Sequence, residues 1–141
     1  MSHEYTYDIS MFRDTFETRF TYLNGFLRNV SRFGSRPALF YPRSGPWTYR
    51  ELNAEANRLA HALRADGVGK NDVVMFTLLN SPEFVFCYLA AHKIGAIACP
   101  VNYRQGAGEI ALVIDDSTPK AFIYDAEFGE LSGGALDLCE S

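Results

Sequence analysis

Asp72-Val73-Val74-Met75-Phe76-Thr77-Leu78-Leu79, followed by Asn80-Ser81-Pro82-Glu83 and then Gly95-Ala96-Ile97-Ala98-Cys99-Pro100-Val101, decides the fold. The first run is continuously apolar, too short for a typical helix and rich in β-formers, as a strand buried on both faces should be. Ser81 can accept a hydrogen bond from an orphan N–H of a first helical turn, and Pro82 suits the first helical position. A helix is therefore predicted from Pro82 through Phe84, Val85, Tyr88, Leu89 and Ala91 to Lys93. His92 and Lys93 lie near the negative end of its dipole and Gly95 supplies the stop. Ala96–Val101 reads as a second buried strand. Two strands joined by a helix of this length are most simply parallel, because the crossover must travel back along the sheet.

Downstream, Asn102-Tyr103-Arg104-Gln105 forms a loop at the carboxyl end of the second strand. Ligands of open α/β sheets bind at such ends, which makes Asn102 and Arg104 candidate site residues. Gly106 to Asp116 is expected to form a helix with Ile110, Val113 and Ile114 inward, and Lys120–Tyr124 a third strand. Residues 126–141 show no clear element and read as a truncated tail.

Upstream, Thr48-Tyr49-Arg50-Glu51 is a capping box that fixes a helix start, with Leu52, Ala56, Leu59, Ala60 and Leu63 as its apolar stripe. Ala65-Asp66-Gly67-Val68-Gly69 ends it. His61 lies off the stripe and reads as a solvated residue. Before it, Ala38–Tyr41 and Trp47-Thr48 flank the turn Pro42-Arg43-Ser44-Gly45-Pro46 and predict a small hairpin. Phe16, Phe20, Leu23, Leu27, Val30 and Phe33 recur at helical spacing and predict a core-packing helix of about 17 residues. Residues 1–9 read as a flexible arm. The expected architecture is α/β, a mostly parallel sheet with flanking helices over residues 10–125, preceded by a helix and small hairpin.

The 141 residues suffice for one domain with a sizeable core, and 48% hydrophobic with 21% charged residues suits a globular chain. A net charge of −4 gives no nucleic-acid footprint. No apolar run is long enough to span a membrane, and the first residues lack a signal peptide's basic and apolar regions, so a cytoplasmic location is expected. Cys87, Cys99 and Cys139 show no paired metal-ligand spacing and read as reduced thiols. The turn after the first long strand, Leu79-Asn80-Ser81-Pro82, contains no glycine, so neither common phosphate loop is present. Gly106-Ala107-Gly108 lacks a third glycine. Asp115 and Asp116 are adjacent and diverge, so they are not a convergent acid pair. No catalytic residue and no metal ligand is assigned.

Read together, several of these segments resemble the amino-terminal region of the acyl-adenylate-forming enzymes, the acyl-CoA synthetase and AMP-dependent ligase family. Thr48-Tyr49-Arg50-Glu51-Leu52-Asn53 resembles the family's T-Y-x-E-L, and Ala56-Asn57-Arg58-Leu59-Ala60 its A-N-x-L-A. Gly67-Val68 and Asp72-Val73-Val74 are similar to G-V-x-x-G-D-x-V, with Asn71 in place of a glycine. Asn80-Ser81-Pro82-Glu83-Phe84, Gly95-Ala96 and Pro100-Val101-Asn102-Tyr103-Arg104 follow as N-S-x-E-F, G-A and P-x-N-x-R. The resemblance covers residues 24 to 125. It implies a parent enzyme that uses ATP, Mg and CoA to make an acyl-adenylate and then a thioester. It also implies that this chain is an amino-terminal fragment without the phosphate loop, ribose-binding aspartate or late lysine. The chain alone is thus expected to be inactive, to bind no cofactor, and to partner the remainder of the parent or itself. At the arginine of P-x-N-x-R the resemblance implies a contact between Arg104 and a phosphate of CoA, with Gln105-Gly106-Ala107-Gly108-Glu109 replacing the usual Thr-Pro-Glu-Glu helix start. Two other readings stay open: a non-catalytic protein-interaction module, and a small-ligand binder at the strand-end crevice.

Overall fold

The computed structural model describes residues 9–13 and 20–139. The arm expected at residues 1–9 lies, apart from Ile9, outside the described residues. A helical turn α1 (Ile9–Phe12) precedes α2 (Tyr22–Phe33), the antiparallel hairpin β1 (Pro37–Tyr41) and β2 (Gly45–Thr48), and α3 (Tyr49–Ala65). Then come β3 (Val73–Thr77), α4 (Pro82–Ile94), β4 (Ile97–Pro100), α5 (Ala107–Ser117), β5 (Ala121–Tyr124), a 3-10 turn (Ala126–Phe128) and α6 (Gly129–Leu136).

The anticipated parallel sheet forms, in the order β4-β3-β5. Its central strand is β3, whose side chains alternate between two helical layers. Val74 packs with Ala60, Leu63, Ala90, Ala91 and Ile94 of α3 and α4. Phe76, on the same side, meets Phe84 and Tyr88 edge-on at ring distances of 5.2 and 5.3 Å. Met75 points the other way, into Ile110 and Ile114 of α5 and Ala135 of α6. The two crossovers therefore lie on opposite faces: α4 carries the chain from β3 to β4, and α5 carries it back across β3 to β5.

Local signals set several boundaries. Glu51 N–H donates to Thr48 Oγ1 at 3.2 Å while Thr48 N–H donates to Glu51 Oε2 at 2.8 Å, closing the capping box of α3. The Thr48 N–H foremost, and the Thr48 hydroxyl, which donates to the same Oε2 at 2.7 Å, hold the Glu51 carboxyl below the usual carboxylate range. At the end of α4, Gly95 has φ +76°, and the N–H of Ala96 bonds Ala91 O at 2.9 Å. A Cβ at Gly95 would stand 3.3 Å from Lys70 Cγ, so both conformation and space favour glycine. Lys93 of α4 donates from Nζ to Asn53 Oδ1 of α3 at 2.8 Å, and burial lowers its pKa.

Three expectations are corrected. The amino-terminal helix does not run through Phe20, because Thr21 is extended and its Oγ1 accepts the Asn24 N–H, so α2 starts at Tyr22. Its stripe packs only in part: no residue of α2 is fully buried, and Leu27 and Phe33 are each 37% exposed. An apolar cavity of about 500 Å³ lies beneath α2, lined by Phe26, Leu39, Tyr49, Leu52 and Val85 among others. Ser81 holds the cap position of α4, yet its hydroxyl makes no capping bond; Pro82 contributes the start alone. The tail is ordered into α6, where Ser132 and Ala135 are completely buried. Gly129, Gly133 and Gly134 weaken its intrinsic helicity, and packing against α5 overrides that weakness.

Candidate functional site

The carboxyl ends of the three parallel strands bring three loops to one edge of the sheet. After β4, the Val101 N–H still bonds Phe76 O at 2.9 Å, and the chain then turns. Asn102 organises the turn: its Oδ1 accepts the Arg104 N–H at 3.0 Å, and its carbonyl accepts the Gln105 N–H at 3.0 Å. This short-range bonding is what asparagine does in turns. The next helix starts in spite of the altered sequence, because Glu109 Oε2 reaches back to the Gly106 N–H at 2.9 Å.

Arg104 is exposed, with its guanidinium 5.7 Å from the Tyr103 ring centre. Among the described residues it makes no ion pair with a carboxylate. Tyr103 in turn stacks on Phe128, with centroids 5.3 Å apart and planes 15° from parallel. Asn102 and Arg104 thus share the loop that follows β4, and Phe128, from the segment read as tail, stacks on the Tyr103 between them. No local pattern marks that partner, since Tyr103 and Phe128 belong to different strand-end loops.

The loops after β3 and β5 are tied to one another. Leu79 N–H donates to Asp125 Oδ2 at 2.9 Å, and Asp125 N–H donates to Thr77 O at 3.2 Å. Because the chain leaves β3 first toward β4 and later returns to its other side, the topological switch point lies between β3 and β5. A crevice of about 370 Å³ opens there, lined by Tyr41, Arg43, Ser81, Glu83, Asp125 and Glu127 together with Leu79 and Ala126. Ser81 Oγ is buried there without a hydrogen-bond partner. The Arg104 loop follows the edge strand β4 instead. Sequence order alone could not separate these two positions, because the switch point depends on strand order.

The cysteines lie apart from these loops or beneath them. Cys87 is buried in α4, and burial, with the Glu83 and Asp125 carboxylates adding to it, pushes its thiol up to about 12. Cys99 and Cys139 are half-buried free thiols, and Cys139 Sγ donates to Ala135 O at 3.1 Å. Among the described residues no three His, Cys, Asp or Glu side chains gather to hold a metal ion. His61 is exposed.

The family model for AMP-binding enzymes matches residues 26–137, most of the chain. The chain belongs to the AMP-binding enzyme family. Among curated relatives of this AMP-binding chain, the 3-hydroxybenzoate–CoA/4-hydroxybenzoate–CoA ligase of Thauera aromatica is 48% identical over 81 residues, 57% of this chain and 16% of the ligase. The long-chain-fatty-acid–CoA ligase FadD13 of Mycobacterium tuberculosis is 43% identical over 79 residues, 56% of this chain and 16% of its own length. Among solved structures, a long-chain-fatty-acid CoA ligase from Rhodopseudomonas palustris superposes with a TM-score of 0.77 at 36% identity, covering 84% of this chain and 30% of that one. The N-terminal domain of FACL13 from Mycobacterium tuberculosis gives 0.76 at 32%, covering 82% and 29%. The AMP-binding chain thus spans about a sixth of the curated relatives named, and its α/β fold matches the N-terminal domains of adenylate-forming ligases.

Proposed function

We propose that this chain is the amino-terminal part of an AMP-forming acyl-CoA synthetase. In the complete enzyme a carboxylate oxygen bonds to the α-phosphorus of ATP as pyrophosphate leaves, and the CoA sulfur then displaces AMP from the acyl carbon. The observation that carries the reading is the match of most of the chain, in sequence and in fold, to CoA ligases. The residues present do not fit ATP or Mg: the chain has no glycine-rich phosphate loop, and among the described residues no acidic cluster could hold a metal. No catalytic step is therefore assigned to it, and its part is structural, as one wall of the large domain. The relatives' names cover hydroxybenzoates, long-chain fatty acids and crotonobetaine or carnitine, which supports an acyl selectivity set outside this region.

Arg104 is the one residue proposed to meet a ligand. It is exposed, among the described residues unpaired with a carboxylate, and placed beside the Tyr103–Phe128 stack, so its planar donors are available to a phosphate of CoA. Carboxylate-dependent exchange of labelled pyrophosphate into ATP tests the fragment reading. The isolated chain should stay at background with fatty and aromatic acids, and any carboxylate-dependent exchange refutes the reading. Titration of the labelled chain with CoA, followed by NMR at residues 102–105, tests Arg104. Shifts that survive in Arg104→Gln would remove its role. A second reading, a small-ligand binder, draws support from the crevice at the β3/β5 switch point; shifts confined to Ser81, Asp125 and Glu127 would favour it.

A further inference from the structure

Residues 20–50 carry five arginines and no acidic residue, in a chain whose net charge is −4. Four of these arginines form one strip, and all four are exposed. Arg28 and Arg32 stand one helical turn apart on α2, and Arg36 follows in the connection to β1. The Arg50 N–H bonds Gly34 O at 3.0 Å, and its guanidinium would stand 3.4 Å from a Cβ placed at Gly34, so the first turn of α3 brings a fourth cation to the end of α2. Aromatic rings are interleaved with these charges. The Arg28 guanidinium is 5.4 Å from the centre of the Phe20 ring, and those of Arg32 and Arg36 are 5.5 and 5.3 Å from that of Phe33. Phe20 is 57% exposed and Phe33 37%. Among the described residues none of the four arginines forms an ion pair with a carboxylate.

We infer that this strip docks the chain on the surface of an anionic phospholipid bilayer. Guanidinium groups hold phosphate through paired N–H donors, and basic clusters on an amphipathic helix are drawn to anionic headgroups. The rings decide the class of partner. A soluble polyanion would neutralise the arginines and leave Phe20 and Phe33 in water, whereas a bilayer interface takes up both, the phosphates at the guanidinium groups and the rings at the edge of the acyl region. The rest of the fold sets the orientation. Helix α2 packs on α3 and α4, on one face of the sheet. On the other face, α5 and α6 carry Glu109, Asp115, Asp116 and Glu130 and no basic residue. An anionic surface therefore attracts the α2 side and repels the α5–α6 side.

Flotation with unilamellar vesicles tests this, because self-associated protein sinks in a density gradient while lipid-bound protein rises. The chain should float with vesicles of phosphatidylcholine and phosphatidylglycerol in equal amounts, stay behind with phosphatidylcholine alone, and be released by high salt. Arg28→Glu with Arg32→Glu, and separately Arg36→Glu with Arg50→Glu, should each weaken partitioning onto the anionic vesicles by about tenfold or more. Arg28→Lys with Arg32→Lys should keep most of it. The two reversed pairs sit on different elements, so a folding defect in one, seen in its melting, leaves the other to decide. No flotation with the anionic vesicles, equal flotation with both kinds, or undiminished flotation of the reversed pairs overturns the assignment and leaves the ligase reading standing. Retention on heparin without flotation would give the strip to a soluble polyanion and refute the lipid partner.

Discussion

The Leu79 N–H donates to Asp125 Oδ2 across 2.9 Å, joining the turn after the central strand to the residue that follows β5. The bond spans the switch-point crevice, and both residues line it. Asp125→Ala leaves a partly buried N–H without an acceptor, at a cost of about 1–3 kcal/mol. In thermal unfolding followed by circular dichroism, the variant should melt several degrees lower. Asp125→Asn keeps an acceptor oxygen and should recover most of the loss; an alanine variant that melts with the wild type would show that the bond contributes nothing.

Phe76 is fully buried between the sheet and the rings of Phe84 and Tyr88. Phe76→Ala should cost roughly 3–5 kcal/mol, a large share of a domain's total of about 5–15. Phe76→Asp adds an unpaired buried charge and should not fold at all. Urea denaturation of the first variant and soluble yield of the second give the readout. A small shift in the urea midpoint would contradict the central position of β3.

Cys87 titrates in a definite direction. Its thiol is pushed up to about 12 in the folded chain, whereas an unfolded cysteine loses its proton near pH 8.5. Between those values the folded state keeps a proton that the unfolded state gives up, so stability falls as pH rises, by at most about 1.4 kcal/mol per unit. Urea midpoints measured from pH 8 to 10.5 should decline less steeply in Cys87→Ala than in the wild type. At pH 8 a thiol reagent should modify Cys87 only at the rate of unfolding, and rapid modification of the native chain would mean that α4 does not seal it.

Self-association is expected of the isolated chain. Phe40 is 73% exposed, Leu112 71% and Ile97 51%, and the cavity under α2 is lined with apolar side chains. Exposed apolar area of this kind, with an unpaired strand edge, drives association. Light scattering across a concentration series should show mass rising with concentration, together with binding of a hydrophobic dye. A constant monomer mass with no dye binding would reverse the expectation.

How far the sequence could be read depended on the range of each interaction. Thr48 and Glu51 are three residues apart, and their mutual bonds appear in the structure as the spacing required. The same local reading misplaced the Ser81 hydroxyl. A serine before a helix can cap it, but whether it does depends on the rotamer its neighbours allow, and here the oxygen stays buried without a partner. Helix α6 escaped notice because its glycines give no helical signal, and its stability comes from Ser132 and Ala135 buried against other elements.

By itself the sequence determined the elements whose causes are local. These are the buried run Val73–Thr77, the proline that starts α4, the glycine that ends it, and the hairpin and capping box before them. With the motifs in register it also marked the family. Only the tertiary structure decided the strand order β4-β3-β5, the switch-point crevice closed by Leu79 and Asp125, and the stacking of Tyr103 on Phe128. Each of these joins residues distant in the chain. Such contacts depend on which face each crossover takes, and side-chain periodicity within one segment does not encode that choice.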